Sequence, residues 1–442
     1  MGIKVKPFYL GGSFAAAVTA LSLGLSGGAS AASLEDAVQA AVRTNPEVIE
    51  VATDRRAVDQ ERRQAFGLFL PSLDFSAQTG LERTLSSSTG GKHSNKWRNQ
   101  ATMTLTQLLF DGFASYSELQ RQRARVGSAA ERVRETAEFV GLNAIEAYLE
   151  VLRQQELVKL SEELVGIHET TLSQMQRRAA SGRGRAADVQ QAAARLGLAR
   201  ATLSATRGAL RDGQANYIRV VGDTPDGLSK PAAPSAAMPA NLTEALNEAA
   251  TGSPTIRIAK ADVEVAQAEA KAADAPLYPR IDLRLSGTRA RNLDGVRGNN
   301  DQASGLIVVQ YNLYRGGIDA AARREALERA SEARAVLAKT QRRVQEDVRL
   351  SWNAVQTARE RLESLREHAT RTEQVRNAYR QQFDIAARTL LDVLDAENEL
   401  FNARSAVITA EYTELFGMYR LLASMGKLLG TLLVEVPAEA IR

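Results

Sequence analysis

The sequence predicts a mainly α-helical protein that carries four β-strands and is built from two copies of one pattern. Three observations lead to this fold class. Four segments of the chain recur in the same order about two hundred residues later. Residues 318–416 contain neither glycine nor proline, which is typical of very long helices. Four shorter segments, of which the fourth is the least regular, alternate apolar and polar residues with the period of two that is characteristic of strands.

The N-terminus has the layout of a secretory signal peptide. Lys4 and Lys6 precede the apolar run FYLGGSFAAAVTALSLGL, and small residues follow at Ala29 and Ala31. We predict a signal peptide over residues 1–31, with cleavage after Ala31. The alternative is a membrane anchor, but glycine, serine and threonine interrupt the run and make it marginal for spanning a bilayer. No later run of about 18 apolar residues occurs, so the sequence predicts no transmembrane helix.

The bulk composition excludes several classes of protein. Of the 442 residues, 44% are apolar, which is not a disordered composition, but only 5% are aromatic, which is few for a large compact core. The net charge of +4 gives no sign of a nucleic-acid-binding surface. The chain has no cysteine, so an exported form would have neither disulfides nor a lipid on an N-terminal cysteine.

The repeat is carried by four pairs of segments that share landmarks at a nearly constant offset. At an offset of 208, LEDAVQAAVRTNPEV pairs with LTEALNEAATGSPTI, and LPSLDF with YPRIDL. At an offset of 204, LFDGF pairs with LYRGG, and RAADVQQAAARLGLAR with RTLLDVLDAENELFNAR. The offset changes only between the second and third pairs, so the two halves differ in one loop.

The repeats and the composition between them set the expected domain limits. A stretch rich in proline, glycine and serine separates the two halves and reads as a linker. We therefore predict four segments after the signal peptide: a first repeat over 32–221, a linker over 222–240, a second repeat over 241–430 and a C-terminal tail over 431–442.

Each half is expected to open with a helix and continue with a β-hairpin. The helices begin after the cap residues Ser33 and Asn241. The expected strands are LDFSAQTGL, NQATMTLTQLLF, IDLRLSG and SGLIVVQYNLY, and the polar segments SSSTGGKHSNK and ARNLDGVRGNN are the loops between them. In the second strand, Ala101, Met103 and Leu105 share one face, while Gln100, Thr102 and Thr104 share the other.

The helical stretches after the hairpins must fold back on themselves. Even 65 residues of α-helix reach about 100 Å, which is far too long for a globular domain. Leucine and valine recur at heptad-like spacing, as in helices that pack side by side. The repeat places the turns of the two helical hairpins at residues 180–188 and 383–392.

Four strands cannot close a membrane barrel, which needs at least about eight. An exported chain with amphipathic strands of this length is expected to oligomerise, with eight strands from two copies or twelve from three. The polar strand faces would then line a lumen, and the helices would continue the tube.

The motifs NPEV, LPSLDF, LFDG, LYRGG and RTLLDVLDAENELFNAR, in this order and duplicated, resemble the TolC family of outer-membrane exit ducts. The resemblance covers residues 33–430. It implies a homotrimer with a 12-stranded outer-membrane β-barrel and a long antiparallel α-helical barrel that crosses the periplasm. It also implies two partners at the helical tips, a periplasmic adaptor and an inner-membrane transporter.

The tip motif supplies the candidate functional residues. Asp392 and Asp395 are three residues apart, so they share one face of a helix. If that face lies toward the bore, a trimer presents a ring of carboxylates, which favours cations. By the resemblance, Arg388 ties the second hairpin to its neighbour, with Asp188 in the first hairpin as its partner. The alternative interpretation is a solvated helix face with ordinary surface charges.

Two positions at the second tip depart from the family pattern. Phe383, which we assign to the same gating contact, stands where a tyrosine is common, and Ala386 replaces a common glycine. Elsewhere, the three histidines His93, His168 and His368 lack metal-ligand spacing, and SGRGR lacks the lysine of a phosphate-binding loop. We predict no catalytic site, no metal and no cofactor, and therefore no enzyme.

Aromatic residues lie near the ends of the expected strands: Trp97, Tyr278, Tyr311 and Tyr314. They are expected either in an interfacial aromatic belt or in packing within the barrel wall.

The expected function is a duct for protein secretion of type I, which is driven by an ABC transporter. The segment RRAASGRGRAADVQQA resembles family members that serve such systems. The alternative is the outer-membrane component of a multidrug or metal efflux pump, for which the tube would be the same. A third class, a periplasmic coiled-coil protein without a pore, is disfavoured by the strand alternation. The sequence does not identify the cargo, because a water-filled duct needs no cargo-specific pocket.

Overall fold

The computed structural model describes residues 33–385 and 387–441. The predicted signal peptide and Ala386 lie outside the described residues. Within the described ranges, no helix combines the length and the apolar composition that crossing a membrane requires.

Each half of the chain contains the same six elements in the same order. The first half has α1 (Leu34–Thr44), α2 (Pro46–Gly67), β1 (Ser72–Thr84), β2 (Ser94–Phe110), α3 (Ala114–Ala180) and α4 (Ala186–Val221). The second has α5 (Leu242–Gly252), α6 (Pro254–Ala272), β3 (Arg280–Arg291), β4 (Asn299–Gln310), α7 (Ile318–Asp384) and α8 (Leu390–Ser424). A short helix, α9 (Leu428–Thr431), follows. The predicted fold class, mainly helical with four strands and internally duplicated, is confirmed.

A proline divides the opening helical stretch of each half into two helices, whereas a single stretch was expected. The cap residues Ser33 and Asn241 accept hydrogen bonds from backbone N–H groups of the first turns of α1 and α5, as expected. Pro46 and Pro254 then begin new helices at the first helical position, where the N–H that proline lacks would be unpaired in any case.

The four strands form one antiparallel sheet in the order β1-β2-β3-β4. The two faces differ in polarity, as the alternation predicted. One row across the polar face is Ser76, Thr102, Thr288 and Gln302, and the Thr102 and Thr288 hydroxyls are 3.1 Å apart. The apolar face is exposed in the single chain, with Leu81 72%, Ile307 69% and Phe75 68% exposed.

The strands do not end where apolar alternation ends. β2 and β4 begin at Ser94 and Asn299, inside the segments assigned to loops, because the backbone ladder continues through polar residues. β4 ends at Gln310, so the last residues of the predicted fourth strand, including Tyr311 and Tyr314, lie beyond it.

Equivalent turns lead from each hairpin into its long helix and account for the LFDG and LYRGG motifs. Gly112 and Gly316 have φ of 66° and 62°, and Phe113 and Gly317 have φ of 68° and 84°. A Cβ at Gly112 would lie 2.5 Å from the Ala275 carbonyl oxygen, so only glycine fits there. The helices that follow, α3 and α7, each have 67 residues and therefore extend about 100 Å.

The helices form a layer in which the order of neighbours changes from one end to the other. Beneath the sheet, α3 packs against α2 and α6, and α6 packs against α7. Farther from the sheet, α3 packs against α4 and α8, and α8 packs against α7. Both the sheet and the helical layer are therefore open at two edges in one chain.

The largest core surrounds the middle of the long helices. There α1, α5, α9 and the C-terminal residues pack on α3, α7 and α8 around Tyr148, Tyr419 and Leu422. The predicted C-terminal tail packs on the same helices. Val434 belongs to this core, and Ala440 packs with Ala52 of α2 and Val133 of α3 in a smaller cluster.

The predicted linker is held against the same core. The Tyr148 hydroxyl donates to the Ser229 carbonyl (2.7 Å) and accepts from the Ser229 N–H (3.1 Å). Lys230 Nζ lies 2.9 Å from Glu411 and 3.6 Å from Glu156. The segment between the two halves is therefore bound to both α3 and α8.

Candidate gating site at the hairpin tips

The helical hairpins turn where the repeat predicted. α3 ends at Ala180 and α4 begins at Ala186, while α7 ends at Asp384 and α8 begins at Leu390. In the first turn, Gly182 has φ of 73°, which favours glycine.

A small apolar cluster joins the two tips of one chain. Its buried members come from three helices: Met175 from α3, Ala192 from α4, and Leu390 and Leu394 from α8. Phe383, at the end of α7, packs against this cluster. The Phe383 ring also makes a cation–π contact with Arg178 of α3, whose guanidinium lies 4.8 Å from the ring centre. Phe383 therefore connects the hairpins within one chain through packing, without needing a hydroxyl group.

Asp392 caps the helix to which it belongs. Its carboxylate accepts hydrogen bonds from the Thr389 N–H (3.1 Å) and hydroxyl (2.8 Å), and its own N–H donates to the Thr389 hydroxyl (3.3 Å). This reciprocal arrangement is a capping box at the start of α8. The hydrogen bonds from Thr389 lower the pKa of Asp392, with a smaller contribution from Arg388, so the carboxylate is ionised at neutral pH.

Arg388 contacts its own hairpin. Its guanidinium stacks on the Tyr379 ring at 4.2 Å, its Nε donates to Gln382 (3.1 Å), and one nitrogen lies 3.9 Å from Asp392. Asp188 lies in the first turn of α4, on the other hairpin. The single chain thus does not bring Arg388 and Asp188 together, and the proposed latch between neighbouring chains stays a prediction.

Asp395 has a different partner from Asp392. It forms an ion pair with Arg195 of α4 in the first hairpin. A second pair, Arg178 with Asp384 at 3.7 Å, also joins the two hairpins. The two aspartates of the tip motif are therefore not equivalent, although both side chains remain partly exposed, 35% for Asp392 and 55% for Asp395.

Sequence reasoning missed most of these partners. The spacing of Thr389 and Asp392 fits a capping box and was a usable signal. Arg195 and Tyr379 gave no such signal, because their contacts depend on how the helices pack.

A buried polar group above the tips was missed as well. Glu397 is 4% exposed and accepts from Arg376 at 3.1 Å. His168 of α3 is 3% exposed, and burial lowers its pKa, opposed by the charge of Glu397. These residues join α3, α7 and α8.

Comparisons with known proteins agree with this architecture. The family model described as outer membrane efflux protein matches residues 37–223 and 245–427. Several relatives match over most of the chain. Proteases secretion protein PrtF of Dickeya chrysanthemi is 25% identical over 430 residues, which cover 92% of this chain and 91% of the relative. Outer membrane protein TolC of Escherichia coli is 23% identical over 428 residues, which cover 92% and 85%.

A solved membrane protein from Pseudomonas aeruginosa has the same fold. It superposes with a TM-score of 0.79 at 19% identity, over 89% of this chain and 90% of that one. The predicted resemblance to TolC-like channels of the outer membrane that extend into the periplasm is confirmed, and the chain belongs to the outer membrane efflux protein family.

Proposed function

We propose that three copies of the chain assemble into one continuous duct through the outer membrane and the periplasm. The observation that carries this proposal is the four-stranded sheet, whose edge strands β1 and β4 each pair with one strand and have an unpaired outer edge among the described residues. Such edges in a membrane must be paired, because unpaired backbone groups in lipid cost several kcal/mol each. Three copies give twelve strands, the number that the family resemblance implies.

The helical layer supports the same closure. Its edge helices beneath the sheet are α2 and α7. Both expose large apolar side chains in the single chain, among them Phe66 (55%) on α2 and Ile318 (59%) and Leu327 (50%) on α7. Contacts between α2 of one copy and α7 of the next would bury these side chains and continue the β-barrel as a helical barrel.

Within this family, we propose that the duct serves type I protein secretion. An inner-membrane ABC transporter would supply the energy, a periplasmic adaptor would bind the tips, and the duct itself would catalyse no reaction. Support comes from PrtF, a proteases secretion protein that matches nearly the whole chain. A gene-deletion strain tests this proposal: the culture medium should lose a secreted protein, and the wild-type gene should restore it.

The second candidate is the outer-membrane component of a drug or metal efflux pump, which the description of the family favours. The same deletion strain separates the two functions. A strain that secretes normally but becomes sensitive to small toxic compounds or metal ions would replace the secretion proposal with this one. The transporter gene next to the duct gene, for an ABC transporter or a proton-driven pump, gives a second and independent discrimination.

A further inference from the structure

The apolar face of the sheet carries arginines at one end. Arg289 and Arg291 of β3 point to the same face as Met103 and Leu285, since they lie at even spacing along the strand and in register with odd-numbered residues of β2. Arg83 lies on this face of β1. All three are exposed. A lipid-facing surface normally excludes such charges from its apolar band, at a cost of about 2–4 kcal/mol at the midplane.

The position of these arginines along the strand explains their presence. The long helices join the sheet at Phe110 and Gln310, and the arginines lie near the opposite end, next to the hairpin loops. On β3, the outward residues Ile281, Leu283, Leu285 and Gly287 precede Arg289. In the proposed barrel, whose helices extend into the periplasm, Arg289 and Arg291 therefore lie just above the apolar band, at the level of the headgroups of the outer leaflet.

The neighbours of the two arginines provide further donors. Arg291 stands between Asn99 of β2 and Asn299 of β4. The Thr79 hydroxyl donates to the Asn99 amide oxygen at 2.7 Å, so the NH2 group is the part of Asn99 that remains for an anion. Trp97, 59% exposed on the same face, donates from its indole nitrogen to Thr79 at 2.9 Å. An amphipathic indole at this level is typical of the boundary between lipid and water.

One acidic residue partly offsets the charge. Asp301 of β4 stands opposite Arg289, and the two form an exposed ion pair at 3.7 Å. Arg289, Arg291 and Asp301 together keep one net positive charge. A guanidinium binds phosphate through two parallel hydrogen bonds. A neighbouring carboxylate competes with the phosphate for the same N–H groups.

We propose that Arg289 and Arg291, with Asn99 and Asn299, bind the phosphate group of an anionic glycolipid in the outer leaflet. Charge and position favour this occupant: the guanidiniums lie at headgroup level, directly above apolar side chains that contact acyl chains. A free phosphate ion would use only the polar half of this surface. The inference rests on the proposed barrel, because it takes the apolar face of the sheet to be the lipid-facing one.

The test measures lipid binding by the assembly purified from outer membranes and stripped of lipid in detergent. The probe is lipid A with both phosphates, and native mass spectrometry counts the bound copies. Each basic residue near an anionic membrane surface contributes roughly fivefold in affinity, so Arg289→Gln with Arg291→Gln should weaken binding by about 30-fold. The matched control is Arg284→Gln, an exposed arginine of the same strand on the polar face.

Two further variants exclude a simple folding defect. Asp301→Asn removes the competing carboxylate and should strengthen binding of lipid A. The pair Arg289→Lys and Arg291→Lys keeps the charge and should retain most of the binding. The inference is overturned if the double glutamine variant binds like wild type, if Arg284→Gln loses as much, or if inorganic phosphate displaces lipid A at an equal concentration. An assembly that is not trimeric contradicts the proposed function instead, and its mass is read in the same spectra.

Discussion

The two aspartates of the tip motif share a helix face but have different surroundings. Asp392 caps α8 through Thr389, whereas Asp395 is paired with Arg195 of the other hairpin. Because the cap uses the Asp392 carboxylate, its removal would disturb the helix start as well as the charge. Asparagine substitutions are therefore a cleaner probe of the predicted carboxylate ring than alanine.

We predict a cation-selective pore of low conductance that divalent cations block through Asp392 and Asp395. Replacing both with asparagine should abolish most of the block, because the ring of carboxylates is lost. Arg195→Gln should strengthen the block, because it frees the Asp395 carboxylate from its partner. Recordings of single channels in planar bilayers measure both effects. An unchanged block in the double variant would show that these carboxylates do not face the bore.

Glu138 is a buried carboxyl group that the sequence did not single out. It accepts the backbone N–H of Leu428 at 3.1 Å, where α9 packs on α3. Burial raises its pKa to about 7, and the opposing influences are hydrogen bonds from Leu429 and Leu428 and the charges of Arg134 and Arg257. Between pH 4.5 and 7 the folded chain thus holds a proton that the unfolded chain has lost.

We predict that the protein loses stability as the pH rises through this window. Stability falls with pH wherever the folded state binds more protons, and the loss here is on the order of 3 kcal/mol. Glu138→Gln should flatten the dependence, since glutamine stays neutral and still accepts a hydrogen bond. Thermal unfolding from pH 4.5 to 8 measures the effect. Glu146, an exposed glutamate of the same helix, provides the control, and Glu146→Gln should leave the pH dependence of stability unchanged.

At the scale of the elements, contacts within a single chain hold the two helical hairpins together. These contacts are the small apolar cluster at the tips, in which Leu394 is 1% exposed, and the ion pairs of Arg195 and Arg178. Exposed ion pairs contribute only about 0–1 kcal/mol, so the apolar cluster is expected to dominate.

We predict that Leu394→Ala loosens both tips while the rest of the chain stays folded. A buried leucine truncated to alanine costs roughly 2–5 kcal/mol, and this small cluster has little else to compensate. Hydrogen exchange should accelerate in the last turn of α3 and the first turns of α4 and α8. Leu391, 43% exposed, provides the control. Equal exchange in Leu391→Ala and Leu394→Ala would contradict a role for the cluster.

A second prediction at this scale concerns the latch between neighbouring hairpins. Arg388→Ser should raise single-channel conductance, and more so together with Asp188→Ala, while the assembly stays intact. Three such latches would add to about 1–3 kcal/mol, which shifts a ratio of closed to open states by roughly tenfold or more. Bilayer recordings at moderate salt measure the single-channel conductance of each variant. If the variants conduct like wild type, the Arg388 contacts with Tyr379 and Gln382 are structural, and the cluster at Phe383 becomes the better candidate for closure.

At the scale of the whole molecule, the sheet and the helical layer have open edges in the single chain, and the proposed function closes them with other copies. We predict a particle of three chains in detergent that separates into monomers on unfolding. Light scattering and cross-linking measure its mass. Leu327→Asp places a charge on an exposed edge of α7 and should weaken the trimer without disturbing the buried core. Native cross-linking that yields only dimers or free monomers would contradict the proposal.

The sequence alone determined the elements, because their signals are local. Strand alternation, the positions of glycine and proline, and the repeated motifs predicted four strands, two very long helices and the positions of their turns. The structure gives these two helices 67 residues each. Strand ends were less accurate, since the hydrogen-bonded ladder does not depend on apolar side chains. The break at Pro46 was present in the sequence and was overlooked.

Only the tertiary structure decided which residues meet. Four sets of contacts join segments that are far apart in the chain. Asp395 pairs with Arg195, and Tyr148 binds the Ser229 backbone. The buried Glu138 carboxyl accepts from Leu428, and Arg291 lies between two asparagines of neighbouring strands. Period and composition act over a few neighbouring residues, whereas these contacts depend on the register of strands and the rotation of long helices, which the packing of the whole chain sets.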